Sequence, residues 1–376
     1  MTLRRREFLQ GCTAIVAAGA VGRAVVAAPQ RAEVLVVVSL RGGWDSLSVV
    51  VPRDGADRRL YERARPNLQV PVRSTLDLNG QLGLHRVLQP LLGRLAVVPA
   101  AGLNRDTRSH FQATAWLESG TPGRSDSNTG WLTRFLAHSK GQFPAVAVGL
   151  PGQDLQGFGR VLSLYELEEL DFTLPGEDRL AALLDAPDGQ ALRSLKAARR
   201  LARWPYRPGP GVAYPETDFA FSLCEAARMI KCPELGVRAV TLSLDGWDTH
   251  SDQEDQVAEL LVDLGGGLRA FADDLEGLPV TIVVLSEFGR RLAENASLGT
   301  DHGHAAAMLV LGHGVRPGVY GPWPGLGKDR LHDLEDLAVT VDYRSVLAEV
   351  LRLDGPGIDR VFPGFRPSPP LGLVDP

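Results

Sequence analysis

The feature that most constrains the fold is a series of short apolar runs, several of which end directly in turns that carry acids or histidine. The runs are rich in β-branched residues and are continuous rather than alternating, which is typical of strands buried on both faces of a parallel sheet. They cover Val34–Leu40, Leu95–Ala100, Ala145–Leu150, Val237–Leu244, Val280–Leu285 and Ala307–Leu311. Helical patterns lie between several of them. This alternation predicts an α/β fold, a doubly wound and mostly parallel sheet with helices on both faces.

Apolar residues at helical spacing support the alternation. They occur at Leu84, Leu88, Leu91 and Leu95, at Leu180, Leu183 and Leu184, and at Val257, Leu260, Leu261 and Leu264. The stretch Trp204–Gly211, rich in proline and glycine, predicts a linker or an insertion boundary. Cys224 and Cys232 fall in or next to a helix-like segment, where eight residues span roughly 12 Å. A disulfide needs Cα atoms within about 7 Å, so none is expected unless the helix ends early.

The polar turns at the strand ends predict one shared site. Asp45 follows the first apolar run, Asp248 and His250 follow the fourth, and Glu287 follows the fifth. In an open α/β sheet, ligands bind outside the carboxyl ends of the strands, so loops that leave those ends converge although they are distant in sequence. Carboxylates and imidazoles that converge in this way indicate a metal site or an acid-base site.

Each of these acids has a structural alternative. Asp45 follows two glycines, where an aspartate side chain commonly caps the amides of a turn. The loop that carries Asp248 can equally cap a helix beginning near Asp252. Glu287 can form a buried ion pair with Arg290 or Arg291, because a buried charge at a strand end needs a partner.

Two of the eight histidines have additional support as site residues. His302 precedes Gly303 in a segment that also holds an aspartate and a second histidine, and the glycine would let the backbone approach an ion closely. His110 is predicted to open a helix, where free amides favour an anion, although a packing or capping role is an equal alternative. Four further histidines have no ligand-like neighbours in sequence and are interpreted as structural or surface residues: His85, His138, His313 and His332.

The amino terminus resembles an export signal. Arg5-Arg6 precedes a mildly apolar stretch, Gly11–Gly22, which is typical of a Tat-type signal peptide and is shorter than the roughly 20 apolar residues of a membrane-spanning helix. Small residues before Ala28 indicate cleavage after residue 27. The mature chain, residues 28–376, is predicted to form a single domain. Without residues 1–27, which hold four arginines and one glutamate, the net charge of −5 becomes −8. An acidic chain of this kind argues against nucleic acid as the partner.

Seven motifs, taken together and in this order, resemble an exported bacterial family catalogued as domain of unknown function 1501. They are the twin-arginine start, Leu40-Arg41-Gly42-Gly43-Trp44-Asp45, Ser109-His110-Phe111, Asp245-Gly246-Trp247-Asp248-Thr249-His250, Ser286-Glu287-Phe288-Gly289-Arg290, Thr300-Asp301-His302-Gly303-His304 and Asp342-Tyr343-Arg344-Ser345-Val346-Leu347. That family is similar in fold to the alkaline phosphatase and sulfatase superfamily. The superfamily hydrolyses phosphate or sulfate esters at metal sites on the carboxyl edge of the sheet.

The resemblance implies roles for several residues. Asp45 matches the superfamily's acid after the first strand, Asp248 and His250 lie near its acid-and-histidine pair, and His302 resembles its last histidine ligand. Glu287 stands with a phenylalanine where an adjacent Asp-His pair is usual, so one imidazole ligand is lost. The expected Ser, Thr or modified Cys nucleophile motif is missing as well. A two-metal mechanism with a covalent intermediate is therefore not favoured.

The sequence favours an exported, metal-binding, hydrolase-like protein that acts on a small phosphate or sulfate ester. Its predicted metal ligands are Asp45, Asp248, His250, Glu287 and His302, for an ion that is Zn, Mn, Mg or Ca. His110 or Arg41 would meet the anion. The alternative is a non-catalytic periplasmic or surface protein used for binding or assembly. The family's frequent genomic neighbour, an exported family catalogued with the number 1800, implies an exported protein partner.

Overall fold

A computed structural model describes residues 33–124, 127–141, 143–165 and 202–375, and these pack around a nine-stranded central sheet. The export signal predicted for residues 1–27 and the helical pattern at Leu180 to Leu184 lie outside the described residues. Among the described helices, none has the length and hydropathy needed to cross a bilayer.

The elements alternate along the chain as the sequence predicts. The strands are β1 Val34–Leu40, β2 Val50–Pro52, β3 Thr75–Asp77, β4 Leu82–His85, β5 Leu95–Gly102, β6 Ala145–Val148, β7 Val161–Leu164, β8 Ala239–Leu244, β9 Val280–Ser286, β10 Arg290–Glu294, β11 Thr300–His302, β12 Ala306–Gly312, β13 Gly318–Val319 and β14 Val341–Asp342. The α-helices are α1 Gly55–Ala64, α2 His110–Ser119, α3 Trp131–Leu136, α4 Asp218–Lys231, α5 Gln253–Asp274, α6 Tyr343–Val350 and α7 Gly355–Val361. Short 3₁₀ helices occupy Ser46–Ser48, Val72–Ser74, Arg86–Arg94, Gln153–Leu155 and Lys328–Arg330.

The central sheet is mostly parallel, with strand order β13-β5-β12-β9-β1-β8-β6-β7 and β14 beside β5. Strand β1 lies between β8 and β9 and pairs with both in parallel, whereas β12 runs antiparallel to β9 and β5. Leu40 at the end of β1 is in register with Leu244 and Ser286. The loops that carry Asp45, Asp248 and Glu287 therefore leave the same edge of the sheet, which confirms that prediction.

Hydrophobic cores cover both faces of the sheet. Val36 and Val38 of β1 join the core that contains residues of α4 and α5, such as Leu223 and Leu264. The alternate residue Val37 points to the other core, which contains residues of α2, α3, α6 and α7. Because neighbouring residues of β1 are buried on opposite faces, the strand reads as one continuous apolar run. The doubly wound α/β class is thereby confirmed.

One helix prediction is wrong. Of the four leucines at helical spacing near residue 90, Leu84 lies in β4 and Leu95 in β5, and the residues between them form a 3₁₀ helix that contains Pro90. Proline lacks an amide hydrogen and clashes with the preceding helical turn, so it disfavours an α-helix through this segment. The leucines are buried by strand pairing and tertiary packing instead. Cys224 and Cys232 are free thiols, as expected from their spacing.

Candidate functional site

The site lies at the carboxyl edge of the sheet, where loops from distant parts of the chain meet. His110 is the first residue of α2, behind the N-cap residue Ser109, as predicted. The loop after β8 carries Asp248 and His250, and β11 ends at His302. Gly42 allows the loop after β1 to lie against them: it has a φ of +119°, and a Cβ there would stand 2.3 Å from the amide nitrogen of Asp248. No other residue type fits such an approach without strain.

A buried arginine ties these loops together. Arg290 is 1% exposed, and its Nε donates a hydrogen bond to the carbonyl of Gly43 at 2.6 Å. Its Nη1 donates to the carbonyl of Thr300 at 2.7 Å, and its Nη2 donates to the carbonyl of Trp247 at 3.0 Å and to Asp248 Oδ1. One guanidinium group thus joins the segment after β1, the segment after β8 and the first residue of β11. Its planar set of donors makes it suited to satisfy several buried acceptors at once.

Three imidazoles and one carboxylate oxygen form the centre of the site. The Nε2 atom of His302 lies 3.0 Å from His110 Nε2, 2.9 Å from His250 Nε2 and 3.1 Å from Asp248 Oδ1. His250 Nε2 is also 3.1 Å from Asp248 Oδ1. The ligand atoms of His110, Asp248 and His302 all lie within 4.8 Å of one another, a spacing that allows them to share one ion.

The opposite nitrogen of each imidazole faces a hydrogen-bond acceptor. His302 Nδ1 is 2.8 Å from the carbonyl oxygen of Arg108, and His250 Nδ1 is 3.2 Å from Asp301 Oδ1. His110 Nδ1 is 2.8 Å from Glu287 Oε1. Because these oxygens only accept, each Nδ1 carries a hydrogen, and a neutral ring then presents the lone pair of Nε2 to the centre. Metal-binding histidines in proteins are oriented in the same way by their outer partners.

The environment shifts the pKa values of Asp248, His302 and His110 in different ways. Burial would raise the pKa of Asp248, but the hydrogen bond from Arg290, the close contact with His302 Nε2 and the positive charge of Arg290 lower it to about 2, so this carboxylate is ionised at neutral pH. Burial lowers the pKa of His302, which favours the neutral imidazole. The hydrogen bond to Glu287 raises the pKa of His110, against the effect of its burial. His302 is therefore suited to be a ligand, and His110 is suited to hold a proton.

A pocket of about 410 Å³ opens over this centre. Its lining residues are Arg41, Gly42, His110, Phe111, Thr114, Gln153, Asp248 and Glu287. Phe111 is 89% exposed and provides an apolar surface at the mouth. Arg41 is ion-paired with Glu118 and still faces the pocket beside the first turn of α2, where amide groups point outward. An arginine and a helix N-terminus together favour an anionic group in this pocket.

The structure places Glu287 behind His110 rather than among the ligand atoms of the centre. Its Oε1 accepts hydrogen bonds from His110 Nδ1 and from the amide of Gly42 at 2.9 Å, and its Oε2 accepts one from the hydroxyl of Ser286 at 3.0 Å. The side chain is only 3% exposed. Its oxygens thus already accept hydrogen bonds from protein groups, and this position suits Glu287 to orient His110 rather than to join the ligand atoms with which it was predicted.

The structure does not bring Asp45 into the centre either. Asp45 and Arg65 form a pair in which both side chains are completely buried, with Arg65 Nη2 2.9 Å from Asp45 Oδ1 and Nη1 2.5 Å from Oδ2. Ser48 Oγ and Gln253 Nε2 also donate to Oδ2, at 2.5 and 2.7 Å. With both oxygens satisfied by protein groups, Asp45 balances the charge of Arg65 at the carboxyl edge and lies apart from the other predicted ligands.

Gly303 and His304, which follow His302 in the same motif, do not contribute to the centre. Gly303 packs on protein backbone, because a Cβ there would lie 2.5 Å from the carbonyl carbon of Arg290; the close approach is to the chain and not to an ion. The ring of His304 stacks on the ring of His332, with centroids 4.2 Å apart. His332 also lies beside Asp106 and Asp333, contrary to the expectation that it has no ligand-like neighbours.

Some residues of the site were not predicted as such. Asp301 orients His250 and accepts a hydrogen bond from Asn295, and Arg290 was considered only as a partner of Glu287. The sequence did carry a signal for both residues, since each belongs to one of the turns rich in acids and histidine. Their partners, however, come from other loops, and residue spacing along the chain does not identify such contacts.

One comparison with known families bears on the motif resemblance. The family described as "Protein of unknown function (DUF1501)" matches residues 194–352, which confirms the resemblance over this part of the chain. A search of curated proteins found no match. Among solved structures, the chain is similar to a 2-O GAG sulfatase at 9% identity and a TM-score of 0.38, covering 86% of this chain and 72% of that one. It is similar to the lipoteichoic acid synthase LtaP from Listeria monocytogenes at 11% identity and a TM-score of 0.35, covering 80% and 72%.

Proposed function

We propose that this protein is an exported, metal-dependent hydrolase of small anionic esters, either phosphate or sulfate esters. The observation that carries the proposal is the orientation of His250 and His302. Each ring has its Nδ1 fixed by an oxygen acceptor, and each directs Nε2 toward Asp248 Oδ1. Such a set of two imidazoles and one ionised carboxylate leaves coordination positions for water and substrate.

The donor set fits a divalent metal ion. Asp248, His250 and His302 would hold it, with two nitrogen donors and one oxygen donor, a combination that favours Zn or Mn over Mg or Ca. The bound ion would polarise an ester oxygen or lower the pKa of a water molecule. The outer partners Asp301 and the Arg108 carbonyl hold the two rings in the required orientation.

His110 is assigned the transfer of a proton. It lines the pocket, and its ring is held by the buried carboxylate of Glu287 on one side and packed against Phe288 at a centroid distance of 4.8 Å on the other. In this position it can protonate the leaving oxygen while Arg41 holds the anion. The Ser109 hydroxyl serves as the N-cap of α2 by accepting from the amide of Gln112. A direct attack by water is therefore favoured over a serine-bound intermediate.

The first test of this assignment is Glu287→Gln. The substitution keeps the shape of the side chain but removes the negative charge that stabilises a protonated His110. We expect kcat for a phosphate or sulfate monoester to fall by about 10- to 100-fold, as for other partners that orient a catalytic group. Bound metal should be retained, because Glu287 does not contact the ligand atoms. Asp245→Asn is the control, since Asp245 is exposed and belongs to neither group of ligand-type residues found in the described structure. Unchanged kcat in Glu287→Gln would contradict the assignment.

One observation favours a second candidate function, a non-catalytic binding or assembly protein with an exported protein partner. Arg290 already neutralises Asp248 through a hydrogen bond from Nη2, so the centre can be satisfied by protein groups alone. Under this reading the histidines form a hydrogen-bonded network without an ion. Metal analysis of the wild type and of His302→Ala, both purified without chelator, separates the two functions: the hydrolase should carry one equivalent of Zn or Mn that His302→Ala loses, and the binding protein should carry no metal that depends on His302.

Export is a separate part of the proposal and rests on Arg5-Arg6 and the weakly apolar segment after them. Replacing both arginines by lysine keeps the charge but removes the paired guanidinium groups. We expect the variant to remain in the cytoplasm as an unprocessed precursor, detected by fractionation and mass measurement, whereas the wild type is found outside the cytoplasm without residues 1–27. A processed, exported form of the lysine variant would contradict a Tat signal.

A further inference from the structure

A second group of ligand-type side chains lies beside the proposed centre and shares none of its residues. Asp106 lies between β5 and α2, and His332 and Asp333 lie between the last 3₁₀ helix and β14. Their ligand atoms are all within 4.8 Å of one another. This group is brought together entirely by tertiary structure, because the two segments that carry it are far apart in sequence.

The imidazole of His332 makes only long contacts with the two carboxylates. Its Nε2 is shielded from solvent and makes no hydrogen bond of ordinary geometry in the described structure, although part of the ring is exposed. Asp106 Oδ2 is 3.4 Å away and Asp333 Oδ2 is 3.7 Å away. Both separations exceed an ordinary hydrogen bond of this type. They are close to the distance of about 3.3 Å between neighbouring ligands around a tetrahedral zinc ion, whose bonds are about 2.0 to 2.1 Å.

The surroundings are compatible with a cation. Arg108 lies beside this group and makes its shorter ion pair with Asp336, at 2.8 Å, whereas its Nη2 is 3.5 Å from Asp333 Oδ2. The Asp333 carboxylate is 53% exposed and that of Asp106 is 61% exposed, so water can complete the coordination. The backbone amide and carbonyl of His332 are hydrogen-bonded to Asp336, which holds the loop that carries two of the three donors.

We propose that Asp106, His332 and Asp333 form a second divalent-metal site, distinct from the proposed catalytic centre. One imidazole and two carboxylates favour Zn or Mn. Arg108 links the two sites, because its guanidinium contacts the Asp333 loop while its carbonyl accepts the hydrogen bond from His302. An ion that joins Asp106 to this loop would therefore hold the segment that orients His302.

The test is the zinc stoichiometry of the full chain, measured by equilibrium dialysis with Zn²⁺ alone at saturating concentration. We expect two equivalents of zinc per chain in the wild type. Each of the single variants Asp106→Asn, His332→Ala and His302→Ala should bind one equivalent. The combination of His302→Ala with Asp106→Asn should bind none. His313→Ala is the matched control and should bind two, since His313 is exposed and lies at the opposite end of the sheet, beside Val280.

The outcomes separate this inference from the proposed function. A wild type that binds one equivalent, lost in His302→Ala and retained in Asp106→Asn, would overturn the second site and leave the catalytic centre intact. One equivalent lost in Asp106→Asn and retained in His302→Ala would support the second site and overturn the first. Because Asp106→Asn preserves side-chain shape at an exposed position, loss of its zinc equivalent without a change in circular dichroism supports ligation rather than misfolding.

Discussion

Replacing His302 by alanine is expected to remove both the proposed ion of the centre and the proposed hydrolytic activity. His302 Nε2 lies within 2.9 to 3.1 Å of the other three groups of the centre, which are His110, His250 and Asp248. Loss of outer partners alone costs about 10- to 100-fold in metal affinity or activity, so loss of this ligand should reduce kcat/KM by at least about 100-fold. An ion present at 100 times its Kd stabilises the folded state by about 2.7 kcal/mol, and the variant should lose that stabilisation.

The measurement is thermal unfolding of wild type and variant with zinc and with chelator, beside metal content and ester hydrolysis. His313→Ala is the matched control and should behave as the wild type. His332→Ala is unsuitable for that purpose, because the structure places His332 in a second ligand group. If chelator does not change the melting temperature of the wild type and His302→Ala melts at the same temperature, the catalytic metal does not exist.

Asp45→Asn is expected to be among the most destabilising single substitutions in this protein. It would leave the guanidinium of Arg65 completely buried without its counter-charge, because both side chains of this pair are inaccessible to solvent. Breaking a buried ion pair by removing one partner costs about 3 to 5 kcal/mol in the free energy of unfolding. We expect a loss of this size in urea denaturation at neutral pH, with the metal content of the folded fraction unchanged.

The pH dependence of this effect has a defined sign. Burial would raise the pKa of Asp45, but Arg65 lowers it below its usual value in the folded state. The stabilisation is therefore present above the pKa of the unfolded state, about 3.9, and is lost as pH falls through the lower folded-state pKa. The difference between wild type and Asp45→Asn should shrink in that acidic range.

A double variant provides the control for Asp45. Asp45→Leu combined with Arg65→Met removes both charges and should recover part of the stability that Asp45→Asn loses, since apolar groups can replace a buried pair, although Ser48 and Gln253 then lose an acceptor. If Asp45→Asn instead unfolds like the wild type but loses one equivalent of metal, Asp45 is a ligand after all and its structural assignment fails.

The strand pattern shows how much of the fold was predictable from sequence. β1 has the predicted limits, and β9 and β12 differ from their predicted limits by at most one residue at either end. A strand buried on both faces imposes an apolar residue at every position, so the signal is local and strong. The leucines around Pro90 show the limit of such patterns, because helical spacing there coexists with a proline and with strand pairing at both ends.

The sequence by itself determined that acids and histidines leave one edge of a parallel sheet, that α2 begins at His110, and which chemistry such residues can support. Only the tertiary structure decided which of these groups meet. Asp45 forms an ion pair with Arg65, Glu287 contacts His110, and Asp248 contacts His302 at the centre. The reason is physical: strand periodicity is set by neighbouring residues, whereas the partner of a buried charge is set by whichever loop supplies the opposite charge or the missing donor.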